Sequence, residues 1–470
     1  MFICRLKHIS VNPAKGDLHM KKYLLILFIV VFMTGLTACG GGNSNQAGNT
    51  AAGSDTATGN DSAAGNGANS EQEISGEITV FGWGGGEELQ SRKDATKVFK
   101  KLYPKVKVNE VWLPADNVDV KLDAALAAGN AGDVIMMSPD WKGLRTKWFE
   151  DLNPYIERDQ LDLEALFTEG VDGGYVDPDG KREGMPATAS DFMIAYNKEI
   201  FDKAGVPYPT NDWTWDDFAN IAKQVSSGEG ANRIYGIVSH WILQSFAPFV
   251  YGGAPYNEDW TKQTLDDENT LKGYQLFGDL VKAKAMPDDA AAKSMPMDQM
   301  FAAGKAAMYP LGLFEASTIA KNIGSNFEWG IVMPPKDPSG KTVNIKFQTG
   351  FAMNKDSKNK EAAWAYIKTV SLNKEVGDLY SKVNLPALKE SADTTFANLK
   401  IEGTDISMLD FVTGLQDAIT FPWGGSIAKA GDLYEQVWQE VTVQGKSAEE
   451  AAGAFASQIQ AAFDSIHQSK

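Results

Sequence analysis

The sequence predicts an α/β fold built as two lobes. Three observations carry that expectation. The chain has 470 residues, more than one hydrophobic core usually fills. Its composition of 43% apolar, 22% charged and 10% aromatic positions belongs to a globular protein. Its folded part opens with apolar strands alternating with helical segments, the pattern of a parallel sheet with right-handed crossovers.

The same arithmetic removes several function classes. A formal charge of −17 argues against nucleic acid or anionic lipid as a partner, since both reward clustered Lys and Arg. Two cysteines (Cys4 and Cys39) and four histidines supply neither a Cys/His zinc site nor a disulfide framework. No cofactor or metal is expected.

Residues 1–38 read as a sorting signal. From Met20 the chain runs through Lys21-Lys22, an apolar stretch from Tyr23 to Met33, and Leu36-Thr37-Ala38. A positive start, a short apolar run and small residues before a cleavage point make a secretory signal, too short for a membrane span of about 20 residues. Either Met20 is the true start or residues 1–19 are a tolerated extension. Leu36-Thr37-Ala38-Cys39-Gly40 resembles a bacterial lipobox, which implies that Cys39 becomes a lipidated first residue on the extracellular face of the cell membrane. Cleavage there removes five basic side chains (Arg5, Lys7, Lys15, Lys21, Lys22) and one acidic one (Asp17), deepening the charge from −17 to −21. Residues 40–73 are Gly, Ala, Ser, Asn, Thr, two Gln and a few acids, too polar to offset their ordering entropy, so a disordered tether is expected. Its mean span would be about 30 Å.

The folded part is expected to begin at Ile74. Glu77-Ile78-Thr79-Val80-Phe81 reads as a strand. Glu87 to Tyr103 reads as a helix with Leu89, Val98, Phe99 and Leu102 on one side, stopped by Pro104. Lys105-Val106-Lys107-Val108 alternates as a second strand. Val120 to Ala128 is helical and closed by Gly129 and Gly132, and Val134-Ile135-Met136-Met137 has the length and apolarity of a buried strand. Thr214…Asp217 and Ser447…Glu450 place an acid three residues after a hydroxyl, as a capping box does. Ala363, Tyr366, Ile367 and Val370 form one apolar stripe, and Phe455, Ile459, Ala462, Phe463 and Ile466 another.

Five segments in order resemble a known family, the extracellular solute-binding proteins of ABC importers, in particular the sugar-binding group related to maltose-binding protein. They are Ile78-Thr79-Val80-Phe81-Gly82-Trp83, Ala128-Gly129-Asn130-Ala131-Gly132-Asp133-Val134-Ile135, Ala195-Tyr196-Asn197-Lys198-Glu199-Ile200-Phe201, Phe301-Ala302-Ala303-Gly304-Lys305-Ala306-Ala307-Met308, and Met353-Asn354-Lys355-Asp356-Ser357-Lys358 continuing to Ala363. The resemblance implies a type II periplasmic-binding-protein-like fold, with solute held in a cleft between lobes joined by crossing segments. It places the N-terminal lobe in 74–188 plus 350–385 and the C-terminal lobe in 189–349 plus 386–470. Physical reasoning puts the site in the same region, because open parallel sheets bind ligands beyond the carboxyl ends of their strands.

Three loops qualify on that ground. Gly82-Trp83-Gly84-Gly85-Gly86-Glu87-Glu88 leaves the first strand and opens the first helix. It could contact sugar through Trp83 or Glu87, cradle a phosphate against the acids' own charge, or be a tight turn whose acids favour the helix dipole. Ser138-Pro139-Asp140-Trp141 follows the buried strand; a carboxylate beside an indole suits a pyranose, and the alternative is that Asp140 caps a helix and Trp141 packs in the core. Asp191 lies where the resemblance implies the first lobe crossing, and could accept from a ligand hydroxyl or brace the hinge.

In the second lobe the candidates are aromatic: Trp241, Phe314, where the family often has Trp, and Trp423, held in a loop by Pro422 and Gly424-Gly425. Trp112, Trp148, Trp213, Trp329, Trp364 and Trp438 are assigned to packing. The mature chain has five arginines and none in these loops, so neutral polyols suit the cleft better than carboxylates or phosphates. Val176-Asp177-Pro178-Asp179-Gly180-Lys181 reads as a hairpin turn rather than a calcium loop, whose later ligands it lacks. His240 is expected to be a hydrogen-bonded structural residue. The expected function is capture of a mono- or oligosaccharide by a monomeric, lipid-anchored, non-enzymatic protein that delivers it to a membrane permease. A secreted carbohydrate-active enzyme or a sugar sensor on the same fold are the alternatives.

Overall fold

The computed structural model describes residues 74–114, 118–139, 145–177, 179–257, 261–415, 418–420 and 428–467. All belong to one compact unit, Ser70–Lys470. The expected signal, Cys39, the tether, and the site candidates Asp140, Trp141 and Trp423 lie outside the described residues.

Two sheets divide the described fold into two lobes. The larger contains β1 (Gly76–Trp83), β2 (Val106–Leu113), β3 (Val134–Met137), β4 (Met185–Ser190), β9 (Ile345–Met353) and β10 (Leu385–Pro386), in the order β10-β4-β9-β3-β1-β2, with β11 (Ile419–Thr420) pairing β9. The smaller has the order β6-β7-β5-β8, from β5 (Phe192–Asn197), β6 (Tyr235–Ile237), β7 (Ala306–Gly312) and β8 (Trp329–Val332).

The opening βαβαβ is present. β1 is parallel to both β2 and β3, with helix α1 (Gly86–Leu102) and helix α2 (Val118–Ala127) between them. Glu87 and Glu88 in the first turn of α1 and Lys100 and Lys101 in its last turn complement the helix dipole. β2 runs to Leu113, beyond the alternation that ends at Val108. It is an edge strand, so Asn109 and Glu110 can stay solvated within it, which hides the strand from an apolar count. Beyond this opening the sheets are mixed: β11 is parallel to β9 and β6 to β7, while the remaining pairings are antiparallel. β9 pairs antiparallel with β3 and with β4, and β10 antiparallel with β4. No crossover helix sets the direction of β4 or β9, because each connects the two sheets.

Both capping residues expected from sequence act as caps. The Thr214 side chain and Asp217 form a reciprocal capping box on α3 (Trp215–Val225), and Ser447 Oγ accepts from Glu450 N at 3.2 Å. The apolar stripes also lie inward: Ala363, Tyr366, Ile367 and Val370 are buried on a helix over the larger sheet, and Ile459 and Phe463 are buried in the second core. That second core is built on aromatics, with Trp215 against Phe218, Phe246 and Phe277, and Phe277 against Trp438. Trp213, Trp364 and Trp438 are buried as expected, while Trp112, Trp148 and Trp329 are half-buried.

Asp177 closes a hairpin turn. Its Oδ1 accepts from Asp179 N and Lys181 N, both at 2.9 Å, while Val176 bridges Arg182 and Gly180 takes φ +86°. Residues 389–394, placed in the second lobe from sequence, form a helix packed on the helix Lys374–Tyr380 and on β10 of the larger sheet. Short helices of this kind carry no lobe label in their sequence.

Candidate functional site

The chain leaves the larger sheet between Ser190 and Phe192, returns at Asn344 and passes again through the segment holding Gly414. These three segments are tied together. Asn344 Nδ2 donates to Phe192 O at 3.0 Å, and Asn344 Oδ1 accepts from Phe192 N and Ile345 N at 3.3 and 2.8 Å. Asp191 Oδ2 accepts from Gly414 N at 3.2 Å.

Asp191 is 0% exposed and does not line the cleft, so of its two sequence roles the geometry matches the brace. Its Oδ1 is buried with no hydrogen-bond partner among the described residues. Burial holds the carboxyl well above the usual carboxylate range. The folded state therefore keeps this proton to higher pH than the unfolded chain does, and its contribution to stability falls as pH rises from about 4. Asp191→Asn, which has no charge to bury, is expected to be more stable than the wild type at pH 7.5, the two converging toward pH 4. Urea denaturation across that range measures it; a variant less stable at neutral pH would mean the ionised carboxylate is well solvated.

Where the crossings meet, a cleft of about 590 Å³ opens between the ends of the two sheets. One wall is the turn after β1. Gly84 (φ +143°) and Gly86 (φ +53°) take left-handed conformations that only glycine adopts freely, and Arg92 Nη1 fills the space a Gly84 side chain would need. That guanidinium is buried from α1 and organises the wall: Nη1 donates to Trp83 O at 2.9 Å and Nη2 to Glu88 Oε1 at 2.6 Å. Asn384 Nδ2 also donates to Glu88 Oε1, at 3.2 Å. Ser138, directly after β3, and Thr188, Ser190 and Thr349 complete the polar side.

The facing wall is aromatic. Helix α4 (Trp241–Phe246) begins with Trp241, which is 45% exposed. Trp241 stacks over Phe314, with ring centroids 6.4 Å apart and planes at 27°. Phe347 of β9 meets both rings edge-on, at 5.5 Å and 69° to Trp241 and at 5.9 Å and 86° to Phe314. Phe314 belongs to α5 (Leu313–Ile323), whose third residue, Glu315, also lines the cleft.

Trp83, Glu87, Trp241 and Phe314 thus meet in one cleft. Glu87 is engaged across it: Lys321 Nζ on α5 lies 2.6 Å from Glu87 Oε1, an exposed ion pair between the lobes that also raises the Lys321 pKa. Phe347, Glu315, Arg92 and Asn384 were missed by sequence reasoning. Phe347 sits in the alternation Ile345-Lys346-Phe347-Gln348, which reads as strand core, and Arg92 reads as a solvated helix position.

Among the described residues no lysine or arginine lines the cleft, and no group of His, Cys, Asp and Glu could hold a metal. His240 is hydrogen-bonded, as expected. Its Nδ1 accepts from Ile242 N at 3.3 Å, capping α4, and burial lowers its pKa to about 3.

Residues 85–376 match the family described as bacterial extracellular solute-binding protein. A putative binding protein of Brucella abortus is 24% identical over 285 residues, 58% of this chain and 66% of that protein. The chain thus spans just under two thirds of that relative's length. The erythritol/L-threitol-binding protein of Mycolicibacterium smegmatis is 27% identical over 351 residues, 66% of this chain and 70% of that protein. An ABC substrate-binding protein from Listeria monocytogenes, solved in complex with cycloalternan, shares the fold with a TM-score of 0.72 at 24% identity, covering 84% of this chain and 98% of that one. The chain belongs to the bacterial extracellular solute-binding protein family.

Proposed function

We propose that this protein captures a neutral mono- or oligosaccharide outside the cell, closes its two lobes over it, and delivers it to an ABC permease without chemical turnover. One observation carries the reading: a stacked Trp241–Phe314 pair, flanked by Phe347, faces a wall of hydroxyl, amide and carboxylate groups across a cleft lined by no described cation. Sugar rings have one apolar face and a rim of hydroxyls, so they match an aromatic wall opposed by polar groups. The names of the similar proteins, two of which bind cycloalternan and erythritol or L-threitol, agree with that ligand class.

Closure needs no covalent step. A ligand that touches both walls only when they approach shifts the population toward the closed state by its differential affinity. In this reading a lipid on Cys39 and the tether through residue 73 hold a monomeric receptor at the outer face of the membrane, and Asp140, Trp141 and Trp423 add contacts to the ligand.

Thermal-shift measurements test the ligand class. Maltotriose, cycloalternan, erythritol and glucose 6-phosphate are each titrated into the purified mature chain. At least one of the three neutral compounds is expected to raise the melting temperature in a concentration-dependent way, and glucose 6-phosphate is expected to leave it unchanged. No response to any neutral compound, with a response to the phosphate, to peptides or to metal ions, would overturn the reading.

A further inference from the structure

Behind the aromatic wall of the cleft a directional chain of hydrogen bonds runs from His240 through Tyr309 to Glu315, which lines the cleft. Its first link fixes the others. His240 Nδ1 accepts a backbone N–H, so in the neutral ring the proton sits on Nε2, which lies 3.3 Å from the Tyr309 hydroxyl. Tyr309 Oη therefore accepts from His240 and spends its own proton on Glu315 Oε2, at 3.1 Å. Glu315 Oε1 accepts from Gly312 N at 3.3 Å, the half of a capping box that a glycine N-cap permits. Each carboxylate oxygen is thus held by one donor on the protein side, and the group lines the cleft on the residue next to Phe314.

We propose that Glu315 is the residue that orients the ligand: its held carboxylate accepts hydrogen bonds from hydroxyls of a sugar ring stacked on Trp241 and Phe314, and its charge turns away phosphorylated or carboxylated sugars. The inference rests on the carbohydrate reading above. Tyr309 and His240 act as positioning residues, since they reach the ligand only through Glu315. A carboxylate can accept from two neighbouring hydroxyls while a neutral amide offers one oxygen, so the group confers orientation as well as affinity.

Burial, with the charge of Asp298 on the preceding helix, lifts the Glu315 carboxyl to about 7, against the lowering effect of the Gly312 and Tyr309 hydrogen bonds. The other titratable groups around it are His240, neutral here, Tyr309, Lys321 farther along α5 and paired with Glu87, and Glu88, bound by Arg92 in the cleft's other wall. Below neutral pH the carboxyl gains a proton and loses acceptor strength, so ligand affinity is expected to fall as pH drops from 8.5 to 6.

Calorimetric titration of maltotriose, cycloalternan and erythritol into the mature wild type, Glu315→Gln and Tyr309→Phe, across pH 6 to 8.5, tests this. Gln keeps an acceptor for Gly312 N, so the apo melting temperature is expected to hold. Its affinity at pH 8.5 is expected to fall by about tenfold to a hundredfold, the loss of a charged acceptor, with the pH dependence flattened. Tyr309→Phe removes a donor to the carboxylate, so its affinity profile is expected to shift to higher pH. Wild-type affinity and pH profile retained in both variants would make Glu315 a helix cap only and overturn the inference. A wild type that binds none of the three compounds overturns the carbohydrate reading, and this inference with it.

Discussion

Removing both stacked rings, with Trp241→Ala and Phe314→Ala in one chain, is expected to lower the affinity for the neutral sugar that binds by about a hundredfold or more, with a much smaller change in apo stability. The asymmetry follows from where the apolar area is buried. Trp241 is 45% exposed in the free protein, so truncating it removes little from the fold, and Phe314 is only half-buried. A sugar covering the open face of the indole and the neighbouring ring would remove on the order of 150 Å² of aromatic surface from water. At about 25 cal/mol per Å² that is nearly 4 kcal/mol, and each 1.4 kcal/mol is about tenfold in affinity. Calorimetry on the double and single variants measures it. Phe314→Trp, which offers a larger ring to the ligand, is expected to bind at least as tightly as the wild type. Affinity unchanged in the double variant would mean that the rings pack on each other and on Phe347 without meeting the ligand.

The residues behind this prediction were legible in unequal measure. Trp241 could be proposed from sequence because it follows the strand-like Tyr235-Gly236-Ile237-Val238, and ligands gather at strand ends, whereas Phe314 rests on the family resemblance. The local elements were equally readable, since the Thr214–Asp217 box and the Tyr366 and Ile459 stripes depend only on spacing over a few residues. What escaped depends on chain crossings. Phe347 belongs to the aromatic wall because β9 returns between the lobes, Asn384 reaches Glu88 across 296 positions of sequence, and Lys321 reaches Glu87 across 234. No periodicity records such separations. Asp191 was half-legible: its place at a crossing was foreseen, while the choice between ligand and brace required knowing that Gly414 N would arrive at its carboxylate.

Arg92→Ala is expected to produce the largest single-site loss, because one buried guanidinium serves both the fold and the polar wall. Arg92 is 4% exposed and ties the Trp83 carbonyl to Glu88, which in turn holds Asn384. Removing it deletes the hydrogen bond to the Trp83 carbonyl, takes the cation from a half-buried carboxylate, and opens a cavity beside Gly84. Breaking a buried ion pair from one side costs about 3–5 kcal/mol, and the partial exposure of Glu88 puts the expected loss at the lower end of that range. Ligand affinity should fall as well, since Trp83 and Asn384 lose their anchors. Arg92→Lys keeps the charge but not the two-armed geometry and is expected to fall between. Chemical denaturation of apo Arg92→Ala, Glu88→Gln and the double variant separates the causes. If the uncompensated carboxylate dominates, the double variant recovers stability relative to Arg92→Ala alone; strictly additive losses would instead assign the cost to the cavity and the lost Trp83 hydrogen bond.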